Sequence, residues 1–479
     1  MNTSSINRFF FVVLFVPIFL FSCSDDDEIN PSTTDDNSST DVSEYANINN
    51  WILDNMNYYY YWKDQLPENP GTTLSPDSFF ESLLYTFNAS SNPNGDRFSY
   101  ISEDADELIS SLSGESTSTG MEFRLFYRAN SGNEVLAQII YTIPDSPADQ
   151  AGLERGDMFT KVNGTTITDQ NYIDLLYNTS SMTISLAEYQ NSEIVDTDET
   201  VSLNATVVQE NPIYLDTILE VNGQKIAYLV YNQFIPAPND SEGNEYDEQL
   251  NQIFTEFKAA GATELIVDLR YNPGGYVSSA VTLASLIGTG VNSNEIFFTE
   301  EYNDELHEEL QAYYGPEYFN QNFENLSGNI GTQLSRVYFL VTDNSASSSE
   351  LVINGLLPYM NVYLIGETTY GKNVGSITIT DDANNYNHWA LQPIVMKAYN
   401  SLGNSDYSAG FIPDIEVSEN SELVPFGNTA DPLLGAALGA ISGSARFGIP
   451  SEAETPRIVG NSVSRKKVTF KKISAEALN

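Results

Sequence analysis

Three regimes of hydrophobic patterning follow one another along the chain. Residues 9–21 (FFFVVLFVPIFLF) form one apolar run of 13 behind Arg8. That is short of the ~20 residues a membrane-spanning helix needs, but suits the apolar segment of a secretory signal. Between residues 44 and 112, apolar positions recur at three-to-four spacing: Ile48, Trp51, Ile52, Met56, Tyr59 and Tyr60. After a break at Pro67, Pro70 and Gly71, the pattern resumes at Phe79, Phe80, Leu83, Leu84 and Phe87. This predicts a helical region with an apolar face to bury, and the aromatic cluster Tyr58–Trp62 is read as core before binding patch. Residues 113–208 change to short β patterns with turn signals and one helix around Tyr172–Tyr177. Gly156-Asp157 turns the chain into a strand there, and Asn163-Gly164 suits a tight hairpin.

Residues 209–445 carry continuous apolar strands, each leaving into a loop. Leu265–Leu269 runs into Arg270–Gly275 and a helix pattern from about Val277 to Ile287. Val337–Val341 passes through Thr342–Ser348 into a helix from about Ser349 to Leu357, and Val362–Ile365 ends in Gly366–Lys372. Unbroken apolar strands mark a parallel sheet covered on both faces. Ligands of such sheets bind beyond the carboxyl ends of the strands, so the three loops are expected to converge on one site.

Charge narrows the chemistry. The 479 residues hold 20 basic and 66 acidic side chains, a net charge of −46, with two histidines and one cysteine. This excess repels phosphate backbones and argues against nucleic-acid binding. One cysteine forbids internal disulfides and cysteine-based metal centres. No HExxH occurs, and neither a metal nor an organic cofactor is expected. The charge is also uneven. Residues 24–50 hold eight acids and no base, and residues 23–43 read as an acidic disordered tether. Residues 455–479 hold six bases against Glu476 alone. The tail, residues 446–479, is expected to be a flexible, solvated end; folding back on the acidic body or touching anionic envelope surfaces are the alternatives.

The loops suggest nucleophilic catalysis. Ser345-Ala346-Ser347-Ser348-Ser349-Glu350 places serines at a helix N-terminus, where free N–H groups favour developing negative charge. A serine needs a base. His307 sits in an acidic helix pattern and His388 beside Trp389, neither in triad-like surroundings. Lys372 is the other route, provided burial leaves it neutral near pH 7. The Gly274-Gly275 turn offers bare amides for an oxyanion hole.

Several motifs resemble known families. Leu20-Phe21-Ser22-Cys23 resembles a bacterial lipobox, which implies removal of residues 1–22 and a lipid anchor on Cys23. The acidic run behind it is similar to the surface-export signal of Bacteroidetes lipoproteins, so a cell-envelope location is expected, with the outer membrane favoured and either face open. SPADQAGLERGDMFTKVNG resembles a PDZ domain of the bacterial protease type. Gly120, Met121, Glu122 and Phe123 take the place of its carboxylate-binding loop, whose exposed amides would capture a terminal carboxylate while the peptide adds a strand. Asp268–Gly275, Ser345–Glu350, Gly366–Lys372 and Gly410-Phe411-Ile412-Pro413-Asp414, in that order, resemble the C-terminal processing peptidases, or tail-specific serine proteases.

The resemblance implies a multidomain α/β and α+β protein: an N-terminal helical region, a PDZ-like β-rich domain and a ClpP/crotonase-like α/β serine protease core. It implies Ser347 as nucleophile, Lys372 as base, and backbone amides of Ser348 and Gly274 or Gly275 as oxyanion donors. Asp268 and Arg270 are expected to hold the loops, and Glu350 to support the helix start. Many relatives carry a glutamine four residues after the lysine, where this chain has Ser376. Protein or peptide substrates with free C-termini are the implied partners. The runner-up is a non-catalytic surface lipoprotein that binds peptide C-termini, and a weaker third option is a glycan-binding surface protein.

Overall fold

The computed structural model describes residues 39–129, 131–190, 193–239, 243–381, 387–443 and 457–467. Residues 1–22, read as a signal segment, Cys23 and most of the stretch read as an acidic tether lie outside the described residues, as do Lys471 and Lys472.

The continuous apolar runs become the centre of a six-stranded sheet. Its order is Ile213–Val221, Gln224–Tyr231, Glu264–Asp268, Arg336–Val341, Asn361–Gly366 and Ile415–Glu416. The first two strands form an antiparallel hairpin, and every other neighbouring pair is parallel. Alternate residues of these strands face two different cores. Leu265, Val267, Val337 and Phe339 pack under the helices Glu245–Ala260, Val277–Ile287 and Ser348–Leu356. Ile266, Tyr338, Leu340 and Ile365 pack against Leu433, Leu434, Ala437 and Leu438 of the helix Pro432–Ser442. Burial on both faces explains why these strands lack an alternating polar pattern.

The middle region folds as a second sheet, ordered Ile458–Asn461, Met121–Tyr127, Val135–Thr142, Met158–Val162, Ser181–Gln190 and Glu193–Asn204. Asn163 and Gly164 both take positive φ (51° and 75°) and join Val162 to Thr165, the hairpin expected from the dipeptide. One member of this sheet comes from the far end of the chain. Residues 457–467, expected to be a solvated end, instead fold back onto the acidic body as a strand and the short helix Val463–Lys467. The reason is an unpaired strand edge beside two glutamates, described below.

The N-terminal helices Ser39–Tyr59, Pro76–Leu83 and Ala105–Leu112 bury the expected face: Ile52, Met56, Phe79, Phe80 and Leu83 share a core with Leu391. The first helix begins inside the segment read as disordered tether, so Ser39–Ser43 are helical. This region is also welded to the sheet-bearing one. Tyr100–Ser102 pairs with Ala390–Gln392, and the Tyr61 amide donates to the Ile394 carbonyl at 2.8 Å. The Tyr58–Trp62 cluster divides accordingly: Tyr60 is buried, while the Tyr58 and Tyr61 hydroxyls donate to Glu309 and Glu301.

Candidate active site

Two loops at the carboxyl ends of adjacent strands are stitched together by serine hydroxyls. Ser345 Oγ donates to the Leu269 carbonyl (2.7 Å), Ser349 Oγ to the Asn272 carbonyl (3.0 Å) and Ser348 Oγ to the Gly275 carbonyl (2.8 Å). The Ala346 amide adds a bond to the Asn272 carbonyl at 3.2 Å. These three serines are buried; Ser347, the remaining one in the loop, keeps part of its surface exposed. Ser347 caps the helix Ser348–Leu356 with φ 55° and ψ −114°, a conformation that costs a non-glycine residue of order 1–3 kcal/mol. Such strain persists only where the surroundings over-determine it, and here the flanking serines do so.

Gly274 and Gly275 lie directly against this turn. Both have positive φ (105° and 138°). A Cβ on Gly274 would stand 2.7 Å from Ser347 Cβ, and one on Gly275 would stand 2.2 Å from the Phe234 carbonyl oxygen. Only glycine allows the approach. The two amides differ in their use. The Gly274 N–H donates to Asn272 Oδ1 (2.9 Å), so it is committed to its own turn. The Gly274 carbonyl accepts from the Phe234 amide (2.9 Å). A planar trans peptide points the Gly275 N–H the opposite way. Ser348 is the first helical residue, whose N–H has no partner inside the helix. Of the three residues expected to donate to an oxyanion, Gly275 and Ser348 therefore retain suitable amides.

Glu350 links the serine loop to the lysine loop. It is fully buried. Its Oε2 accepts from the backbone N–H of Ser347 (3.1 Å) and of Lys372 (2.8 Å). Its Oε1 accepts from Thr369 Oγ1 (2.6 Å) and the Gly371 N–H (2.7 Å). The role expected for Glu350, support of the helix start, is thus half of what it does. Burial pushes its carboxyl above the usual range, and the four donors pull against that shift.

Lys372 is half-buried. Desolvation lowers its ammonium below the ordinary lysine value, while the charges of Asp96 and Glu350 oppose the shift. Its Nζ stands 5.7 Å from the centroid of the Phe98 ring. Asp96, Arg97 and Phe98 belong to the N-terminal region and were not legible as site residues. Arg97 Nη2 donates to the carbonyls of Gly371 (3.1 Å) and Ser408 (2.9 Å), holding the lysine loop from the far side. Asp96 is fixed by the Tyr60 hydroxyl (2.8 Å) and the Phe98 and Ser99 amides. The one local signal was a charged pair beside an aromatic in NGDRFS; its partner lies about 270 residues downstream. Ser376 lies on the strand Val374–Ser376 that leaves this loop, at an irregularity in its pairing with Ile394–Asn400.

The two histidines are elsewhere. His307 stacks on Phe319 with ring centroids 3.9 Å apart, and the His388 carbonyl caps the helix at Ala105. Asp268 and Arg270 sit under the site in a buried ionic network. Arg270 pairs with Asp268 and Asp431 (both 2.7 Å) and with Glu419 (2.9 Å). Arg155, from the LERGD motif of the middle region, pairs with Glu419 at 2.6 Å. The three arginines Arg155, Arg270 and Arg124 hold the Glu419 carboxyl far below the usual range despite its burial. This network pins the middle region against the sheet that carries the site.

Gly120, Met121, Glu122 and Phe123, expected to present exposed amides, are all buried. The Gly120 N–H donates to Ser118 Oγ (3.0 Å) and the Phe123 N–H to Ser462 Oγ (2.8 Å). The chain's own residues 457–462 cover the edge from Phe123 to Tyr127, and the Gly120 amide is closed within its own loop. Among the described residues no cluster of His, Cys, Asp and Glu could hold a metal ion, and no helix is long and apolar enough to cross a membrane.

Comparison with known proteins places these loops in context. Residues 225–417 match peptidase family S41, residues 47–100 the peptidase S41 N-terminal domain, and residues 139–187 a PDZ domain. The chain is 28% identical over 272 residues to a carboxyl-terminal-processing protease of Picosynechococcus sp. PCC 7002, covering 55% of this chain and 56% of that protein. It is 25% identical over 239 residues to the carboxy-terminal processing protease CtpA of Bacillus subtilis 168, covering 49% and 44%. The matches thus span about half the length of these curated relatives. A crystal structure described as an S41 protease from Bacteroides fragilis NCTC 9343 superimposes with a TM-score of 0.68 at 29% identity, over 82% of this chain and 97% of that one. The two S41 matches together take in a little over half of the residues, and the chain belongs to peptidase family S41, with a PDZ domain between its N-terminal and peptidase domains.

Proposed function

We propose that this chain is a serine endopeptidase that cleaves proteins or peptides near their C-termini with a Ser347–Lys372 dyad. The observation that carries the reading is the Glu350 carboxylate, which accepts from the backbone of both proposed partners at once. In this mechanism neutral Lys372 takes the Ser347 hydroxyl proton as Oγ attacks the scissile carbonyl. The tetrahedral oxyanion is met by the Gly275 and Ser348 amides at the helix N-terminus. Collapse expels the amine, which receives the proton from Lys372, and leaves an acyl-enzyme. Water, activated by the same lysine, then releases the acid product. The PDZ domain recognises the substrate, and Cys23 anchors the protein by lipid in the cell envelope, at the outer membrane.

The lowered lysine value supports the role of base, because cleavage then rises with pH as Lys372 deprotonates below its ordinary value. The test uses an unfolded protein with a free C-terminus as substrate. Ser347→Ala and Lys372→Ala should each reduce kcat by at least about 10³-fold. Undiminished cleavage by either variant removes the dyad. Labelling of Cys23 by a fatty-acid probe, lost in Cys23→Ala, tests the anchor.

A further inference from the structure

The edge of the strand Met121–Tyr127 is where a peptide would add to this PDZ sheet, and it is already taken. The Tyr127 N–H donates to the Arg457 carbonyl at 3.0 Å. Ile458 lies opposite Phe126, Gly460 opposite Leu125 and Asn461 opposite Arg124, in antiparallel register. The Ser462 N–H donates to the Phe123 carbonyl (2.9 Å), and its Oγ accepts from the Phe123 N–H and contacts Glu122 Oε2. Val459 packs on the PDZ core. The strand runs toward the Gly120 loop, the direction in which an added peptide brings its C-terminal end to that loop.

The occupant does not stop there. Beyond Ser462 the chain turns into Val463–Lys467. Val463 is fully buried among Ile140, Tyr141, Tyr271 and Val208. Lys466 Nζ then reaches Glu122 Oε1 (2.8 Å), Glu210 Oε2 (2.6 Å) and the Tyr141 hydroxyl (3.3 Å). Two carboxylates at this end of the edge suit a cation. A bare terminal carboxylate arriving beside them would meet like charge.

We propose that this strand edge, together with Glu122 and Glu210, is a docking site for a basic strand-then-turn segment, held in cis by residues 457–466, which an incoming peptide must displace. This rests on the reading of the PDZ domain as the element that recognises substrate. It makes the tail an internal competitor. It also defines the class of segment that competes best: extended, with a small hydroxyl residue opposite Phe123 and a lysine or arginine four positions later. Such a segment can be internal, because the tail itself continues past the loop.

The experiment needs no turnover, so it is independent of the dyad. Full-length Ser347→Ala protein is the parent, and Gly460→Pro/Lys466→Glu in that background detaches the tail. Hydrogen exchange at the Phe123 and Tyr127 amides should speed at least about tenfold on detachment. A fluorescein-labelled peptide of residues 455–470 should bind the detached variant at least about tenfold tighter than the parent. The same peptide carrying Lys466→Glu should bind at least about fivefold more weakly. Lys466→Glu alone serves if the double variant fails to fold. Unchanged exchange, or equal affinity for parent and detached protein, overturns the proposal. Protection that falls on dilution assigns the occupant to a second copy and overturns docking in cis. Cleavage that survives Ser347→Ala would remove the peptidase mechanism while leaving this binding test intact.

Discussion

Two buried glutamates in this molecule respond to burial in opposite directions. Glu350, at the crossing of the serine and lysine loops, is surrounded by three backbone N–H groups and one hydroxyl and carries a raised carboxyl. Glu419, in the seam between the PDZ domain and the peptidase sheet, faces three arginines and carries a strongly lowered one. Dipoles satisfy a buried carboxylate geometrically without cancelling the cost of taking its charge out of water; full cations do both. One region is built to fix positions, the other to fix domains.

The largest expected effect tests the seam. Glu419→Gln leaves Arg155 without its closest carboxylate and should cost about 3–5 kcal/mol in denaturant unfolding, as expected when one partner of a buried ion pair is removed. A loss below about 1 kcal/mol would break the comparison. Next comes Glu350→Gln, which keeps the shape but turns an NH2 group toward N–H donors. It should lower stability by about 1–3 kcal/mol and kcat by about 10²-fold with KM little changed. An unchanged kcat would show that the two loops hold their places without this carboxylate.

The pH dependence of stability sharpens the contrast, because the signs are opposite. The lowered carboxyl of Glu419 contributes stability above its ordinary value of 4.5, lost as pH falls toward the folded value. The raised carboxyl of Glu350 contributes stability below 4.5, lost as pH rises through its folded value. Difference curves of each variant against the parent between pH 3 and 8 should therefore slope in opposite senses. The smallest effect is kinetic. Asp96→Asn removes a negative charge that holds Lys372 up. The limb along which cleavage rises with pH should move to lower pH by less than about one unit. A shift to higher pH would refute that electrostatic role.

Local pattern made much of this legible. The helix Val277–Ile287 fell where periodicity put it, and the buried strands before each loop fell within a residue or two of their apolar runs. The strand ends carry the candidate site because a doubly covered sheet leaves only its ends open. The Asn163-Gly164 hairpin followed from positive φ, a property of the dipeptide itself. Residues 457–467 depart from the solvated end expected of the tail because their fate depends on an edge some 330 residues away. Alone, a run of six bases against one acid describes a solvated end. Beside an unpaired strand and two glutamates, residues 457–467 become a strand and a short helix with a buried valine.

The site divides along the same line. Which serine keeps part of its surface exposed was settled by the carbonyls that bind Ser345, Ser348 and Ser349, all supplied by residues 269–275 of another loop. That Gly275 and not Gly274 retains its amide was settled by Asn272. The wall beside Lys372 came from Asp96, Arg97 and Phe98, in a region read as helices packing on their own core. Propensity, periodicity and turn geometry act over a few residues, so the elements, the order of the loops and the residue types available for chemistry can be read along the chain. Which groups are buried, paired or desolvated depends on neighbours from distant parts of the chain, and is fixed only once the sheets and loops have packed together.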